Sequence, residues 1–272
     1  MIIEQTSYRD LHDSLVTYHG SSLYRDVLAP WVEANANERS WLRSFASRRG
    51  SPVPAVEPED LWRLYALSRV NEILLLRFQH GKADGSHGPD PSVSQHDYVA
   101  FAEALGLAVA RSPSFSPFYH EIVEVERADD DRQPVSLLGY FWPCLMLGDM
   151  LFSRAGVRVC GGSKHISKDV AESSTLYWAY RRKNRPYQDL SHGWGSNSQW
   201  RTAFRRDYRV GQELYYNVDG KHNLGVLEST PEDRDDLSRE ERIELLTNRC
   251  FILATKSHGD LWPYDDRLQL EV

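Results

Sequence analysis

The sequence predicts an α+β fold: a mostly helical first half packed on a mixed second half with a small antiparallel sheet. Three observations predict it. Apolar residues recur at helical spacing through the first hundred-odd positions. A strict apolar/charged alternation begins at residue 120. Short apolar runs separated by turn residues follow it. Hydrophobic residues make up 41% of the 272 and aromatics 11%, which is enough to build a core and is unlike a disordered chain. The length allows one large domain or two fused ones. The change of character divides the chain into a mainly helical region, 1–118, and an α+β region, 119–272.

The elements are read in order. Leu11, Leu15 and Tyr18 share a face of a helix over 8–18. A short helix over 23–29 stops at Pro30, and Trp31, Trp41, Leu42 and Phe45 mark a longer one over 31–46. Gly50-Ser51-Pro52-Val53-Pro54 breaks the chain. The strongest helix is 60–78, with Pro58 near its start and Leu61, Leu64, Leu67, Val70, Ile73, Leu74 and Phe78 along one face. A polar loop over 80–92 leads to a helix over 95–107. Residues 120–126, His-Glu-Ile-Val-Glu-Val-Glu, suit a half-buried strand. The apolar run 135–150 is expected to be buried. Short strands are expected at 158–160 and 213–218, the second ending in the turn residues Asn217-Val218-Asp219-Gly220. Ser238-Arg239-Glu240-Glu241 is a capping box opening a helix over 242–248.

Several function classes fall away. No window nears the ~18 apolar residues of a membrane-spanning helix, and the start lacks the basic and apolar blocks of a secretion signal. Cys144, Cys160 and Cys250 are widely spaced, as expected of buried thiols in a reducing cytoplasm. His80, His87 and His96 lie in and beside a solvated loop without metal-ligand spacing, so no metal is expected. The dinucleotide fingerprint, the Walker loop and the nucleophile elbow are all missing, and no cofactor is expected. Cys160-Gly161-Gly162-Ser163-Lys164 reads as an ordinary turn.

Charge carries the strongest functional signal. Residues 164–209 hold ten Lys/Arg against four acids, a local +6, which leaves −13 on the rest of a chain of net −7. Such a block suits an anionic partner or pairs with the protein's own acids. Its densest part is 192–208. There Trp194 and Trp200 can stack or wall a site, Asn197 and Gln199 can give directed hydrogen bonds, and Arg201, Arg205 and Arg206 can neutralise charge, with Lys164 from a second loop. A helix starting at Gln199 would set Arg201 and Arg205 on one face. His192 and Asp207 are the weak candidates for an acid–base pair.

The expectation is a cytoplasmic binding protein for an anionic ligand: nucleic acid, a phosphorylated small molecule, or an acidic protein surface. Nucleic acid has no motif to support it. Two rivals stand beside this reading. One is a hydrolase or transferase acting on a phosphorylated or nucleotide substrate. The other is a non-enzymatic interaction protein, such as a toxin-neutralising subunit, whose acidic face meets a basic partner.

Overall fold

A computed structural model describes residues 6–81, 91–189, 200–226, 237–255 and 263–271. It is an α+β fold, more helical in its first half. The helices are α1 (Thr6–Thr17), α2 (Ala29–Ala34), α3 (Ala36–Ala46), α4 (Pro58–Leu75), α5 (Gln95–Ala104), α6 (Lys168–Ser173) and α7 (Arg239–Asn248). The expected 31–46 helix is broken at Asn35, whose backbone leaves the helical region at φ −109° and ψ 52°. Pro30 does not end a helix. It sits in the first turn of α2, where its missing N–H costs nothing. Pro58 opens α4 in the same way, and both halves of the α7 capping box form between Ser238 and Glu241.

The strands are β1 (Ala108–Ala110), β2 (His120–Arg127), β3 (Ser136–Trp142), β4 (Cys144–Leu147), β5 (Met150–Ser153), β6 (Ala155–Gly161), β7 (Leu176–Tyr177), β8 (Tyr187–Gln188), β9 (Asp207–Val210), β10 (Glu213–Tyr216), β11 (His222–Asn223) and β12 (Asp266–Glu271). Seven of them form one sheet in the order β1-β4-β5-β9-β10-β12-β11, antiparallel except for the parallel β11–β12 pair. A second sheet runs β2-β6-β3, with β2 and β6 parallel, and β7 pairs with β8.

Alternation along the central strands builds the layers. Leu145 and Leu147 of β4 face the helices, in a cluster with Leu64, Leu67, Tyr98, Phe152 and Phe204. Cys144 and Met146 face the other way, toward Ile122, Val125, Val157 and Val159 of the smaller sheet. The large sheet is therefore covered on both faces, and all four residues of β4 are buried. Gly148 turns β4 into β5 at φ +61°, and a Cβ there would lie 2.3 Å from the Ala46 carbonyl oxygen.

Two expectations change. The 135–150 run is not uniformly buried: β3 lies at a sheet edge and exposes Leu138 and Tyr140. Strand β2 is buried on both faces over its first four residues, not half-buried, because α6 and the large sheet flank it. Among the described residues no helix is long and apolar enough to cross a membrane.

Candidate functional site

The basic block is not one surface. Residues 202–206 lie in neither a helix nor a strand, where a helix was expected, and the Phe204 amide donates to the Leu61 carbonyl of α4 at 3.3 Å. Arg205 turns inward. Its Nε donates to Asp207 Oδ1 at 2.8 Å and its Nη2 to the Leu246 carbonyl at 2.8 Å. Arg206 turns the other way, forming a fork with Asp219 at 2.6 and 2.8 Å. It lines a separate groove of about 540 Å³ between residues 51–53 and strands β10 and β12. Arg201 is exposed, 6.0 Å from the Trp62 ring, and Trp200 lies under the Arg69 guanidinium at 5.0 Å. Lys164 pairs with Asp131 at the surface, 3.0 Å away. His192, Trp194, Asn197 and Gln199 lie outside the described residues.

Arg205 opens instead onto a small cavity of about 50 Å³ inside the molecule. Helix α4 supplies Tyr65, Ser68 and Glu72, which share a face through their spacing of three and four. The turn after β7 brings Trp178, and the residue after α7 brings Arg249. Asp189 follows β8. Arg69 donates to Asp189 at 3.1 Å, and the Tyr65 hydroxyl also meets that carboxylate. Arg182 holds Glu72 and Glu121 together, reaching Glu121 at 2.7 and 2.8 Å.

Asp207 fixes the basic wall. Arg205 Nε and the Asn217 amide donate to its Oδ1, at 2.8 and 2.7 Å, and Arg249 Nη2 donates to Oδ2 at 3.0 Å. Burial raises its pKa, but Arg205 and Arg249 outweigh burial and hold it below the ordinary carboxylate value. It serves as the counter-ion of both guanidiniums, each of its oxygens accepting at least one hydrogen bond.

The described chain has three non-glycine residues with positive φ: Trp178 at 55°, Asn217 at 50° and Arg249 at 61°. Each costs on the order of 1–2 kcal/mol relative to right-handed backbone. All three converge here. Trp178 and Arg249 line the cavity, the Arg249 carbonyl accepts from the Tyr177 amide at 2.9 Å, and Asn217 holds Asp207. Strained backbone of this kind gathers where a surrounding structure over-determines it, and it points toward function.

The donors are incompletely used. Arg249 makes one side-chain bond among the described residues, to Asp207, and 17% of its side chain is accessible. The Trp178 Nε1–H is buried with no partner among them, while the Arg205 guanidinium stacks 4.5 Å from the Trp178 ring. Burial, then Arg205 and Arg154, pull Arg249 down to about 9. The guanidinium stays charged at neutral pH, so burial is the main cost of holding it here, with the neighbouring arginines adding to it and Asp207 opposing it.

Sequence reasoning found Arg205 and Asp207 but missed Tyr65, Arg69, Glu72, Trp178 and Arg249. For the first three a signal existed: a polar stripe at helical spacing on a helix that is otherwise apolar. Left-handed backbone at Trp178 and Arg249 leaves no local mark in sequence. No family model matches this chain, and no curated protein or solved structure proved similar to it. Among the described residues no group of three His, Cys, Asp or Glu side chains is gathered to hold a metal.

Proposed function

We propose that the chain is a binding protein for an anionic ligand, whose charged group enters the cavity between α4, Trp178 and Arg249. The observation that carries this reading is the Arg249 guanidinium, held by a left-handed backbone on the cavity wall with most of its N–H groups unengaged. The unpartnered Trp178 Nε1–H beside it is a second donor. A buried donor without an acceptor costs about 1–3 kcal/mol, and an anion beside Arg249 that also accepts from the Trp178 Nε1–H relieves that cost. Arginine presents planar donors matched to carboxylate and phosphate oxygens. Three free thiols, two of them buried, fit work in a reducing cytoplasm.

A thermal-shift titration at low salt tests the reading, because a ligand that binds the folded state alone raises the melting temperature. Anions are expected to raise it for the wild type and not for Arg249→Met, which keeps the side chain's bulk and removes its charge. Equal responses in the two proteins would place the effect elsewhere and end the proposal.

A further inference from the structure

Each ion pair at the cavity turns one member toward it and keeps the other behind the wall. Arg205 and Arg249 line the cavity, while their counter-ion Asp207 does not. Glu72 and Asp189 also line it, while the arginines that hold them, Arg182 and Arg69, do not. The basic members belong to one side, joined through Asp207 of β9. The acidic members belong to the other: Glu72 stands on α4, and Asp189 is bonded to Tyr65 and Arg69 of α4. Among the described residues neither Arg205 nor Arg249 pairs with Glu72 or Asp189. The cavity is therefore bounded by guanidiniums on one side and carboxylates on the other. Apolar rings of Phe152, Trp178 and Phe204 fill out its lining, so the two fields are poorly screened.

From this arrangement we infer that the group taken by the cavity is the head of an α-amino acid: a carboxylate and an ammonium carried on one carbon. The inference rests on the anion-binding reading above for its carboxylate end and sets a cation beside that end. The carboxylate lies against the Arg249 guanidinium and the unpartnered Trp178 Nε1–H. The ammonium lies against Glu72 and Ser68. Among the described residues Glu72 Oε1 accepts only from Arg182, at 3.3 Å, and a carboxylate oxygen takes about two such bonds. The Ser68 hydroxyl donates to the Tyr65 carbonyl at 2.7 Å, so its oxygen remains an acceptor. A bare anion would meet the carboxylates of the α4 side, and a bare cation would meet the arginines. Size selects a short zwitterion. The void is about 50 Å³, and one water needs roughly 10–15 Å³ on the same measure, so roughly three to five non-hydrogen atoms fit. An amino-acid head group fills that space, with any side chain outside it. A zwitterion whose charges stand several carbons apart does not fit.

Calorimetric titration of the full chain at neutral pH decides between classes. The ligands are glycine, acetate, methylammonium and γ-aminobutyrate. Glycine is expected to bind at least about tenfold more tightly than acetate or methylammonium, which carry its two charges separately, and than γ-aminobutyrate, which holds them apart. Arg249→Met should lose the glycine affinity. Arg158→Met, which removes a surface cation paired with Glu124, should keep it. Ser68→Ala, a milder change than any at a buried ion pair, should weaken glycine by about tenfold. An unchanged glycine affinity in Ser68→Ala would overturn the placement of the ammonium. The ligand comparison on the wild type decides the inference even where a variant fails to fold. Acetate as tight as glycine would overturn the zwitterion while leaving an anion site. γ-Aminobutyrate as tight as glycine would overturn the α-amino acid head. Methylammonium as tight as glycine, or silence from every ligand, would overturn both the inference and the reading beneath it.

Discussion

Asp207 is the residue on which the site turns. It faces two guanidiniums and a backbone amide, and it is 2% exposed. Asp207→Asn keeps the volume and removes the one carboxylate among the described residues that is in contact with Arg205 and Arg249. Breaking one side of a buried ion pair costs about 3–5 kcal/mol, so the free energy of urea unfolding should fall by that amount and the midpoint should fall with it. An unchanged midpoint would mean that the arginines are compensated elsewhere. Arg249 permits a finer comparison. Arg249→Gly and Arg249→Met both remove the charge, but glycine also accepts φ +61° without strain. The glycine variant should be the more stable of the two by about 1 kcal/mol, and equal stability would show that the left-handed backbone stores nothing.

Elements were legible in proportion to how local their causes are. The capping box at Ser238 and Glu241, the proline opening α4 and the alternation of β2 are decided within a few residues, and each element lies where the sequence put it. The segment after Trp200 was misread as a helix. Its path is set by the hydrogen bond to α4 and by Asp207 joining β9, neither of which has a local signature. Strand β12, which lies between β10 and β11, was missed because its alternation of Leu268 and Leu270 is short. The site shares this limit, since Tyr65, Trp178 and Arg249 come from three distant elements. Helix α7 delivers Arg249 at its C-terminal end, so its stability and the site can be separated. Ser238→Ala removes the cap at the far end and should cost about 1 kcal/mol in thermal unfolding while leaving the anion-induced shift intact. A lost shift would mean that the whole helix, rather than its last turn, forms the site.

At the scale of the whole molecule, three layers bury ionisable groups on both sides of the large sheet, and this sets the response to acid. His120, at the start of β2, is 2% exposed. The Ser116 amide donates to its Nδ1 at 3.0 Å, so the ring proton sits on Nε2, toward the Tyr140 hydroxyl at 3.5 Å. Phe115 stacks on the ring at 5.8 Å. Burial, then the charge of Arg154, lower its pKa to about 4, so the proton prefers the unfolded chain. Its contribution is whole above the unfolded value of about 6.5 and is lost as pH falls toward 4. Glu121 follows at lower pH. Burial raises its pKa, but Arg182 overrides burial and brings it to about 2, so its contribution is whole above the ordinary 4.5 and is lost as pH falls toward 2. The melting temperature should therefore decline in two stages, one between about pH 6.5 and 4 and one below about pH 4.5. His120→Asn keeps a short acceptor for the Ser116 amide and removes the titrating ring. It should be less stable at neutral pH, flat through the first stage, and unchanged in the second. A first stage that survives in His120→Asn would assign it to another group, and a wild-type profile flat from about pH 7 to 5 would show that His120 protonates without cost to the fold.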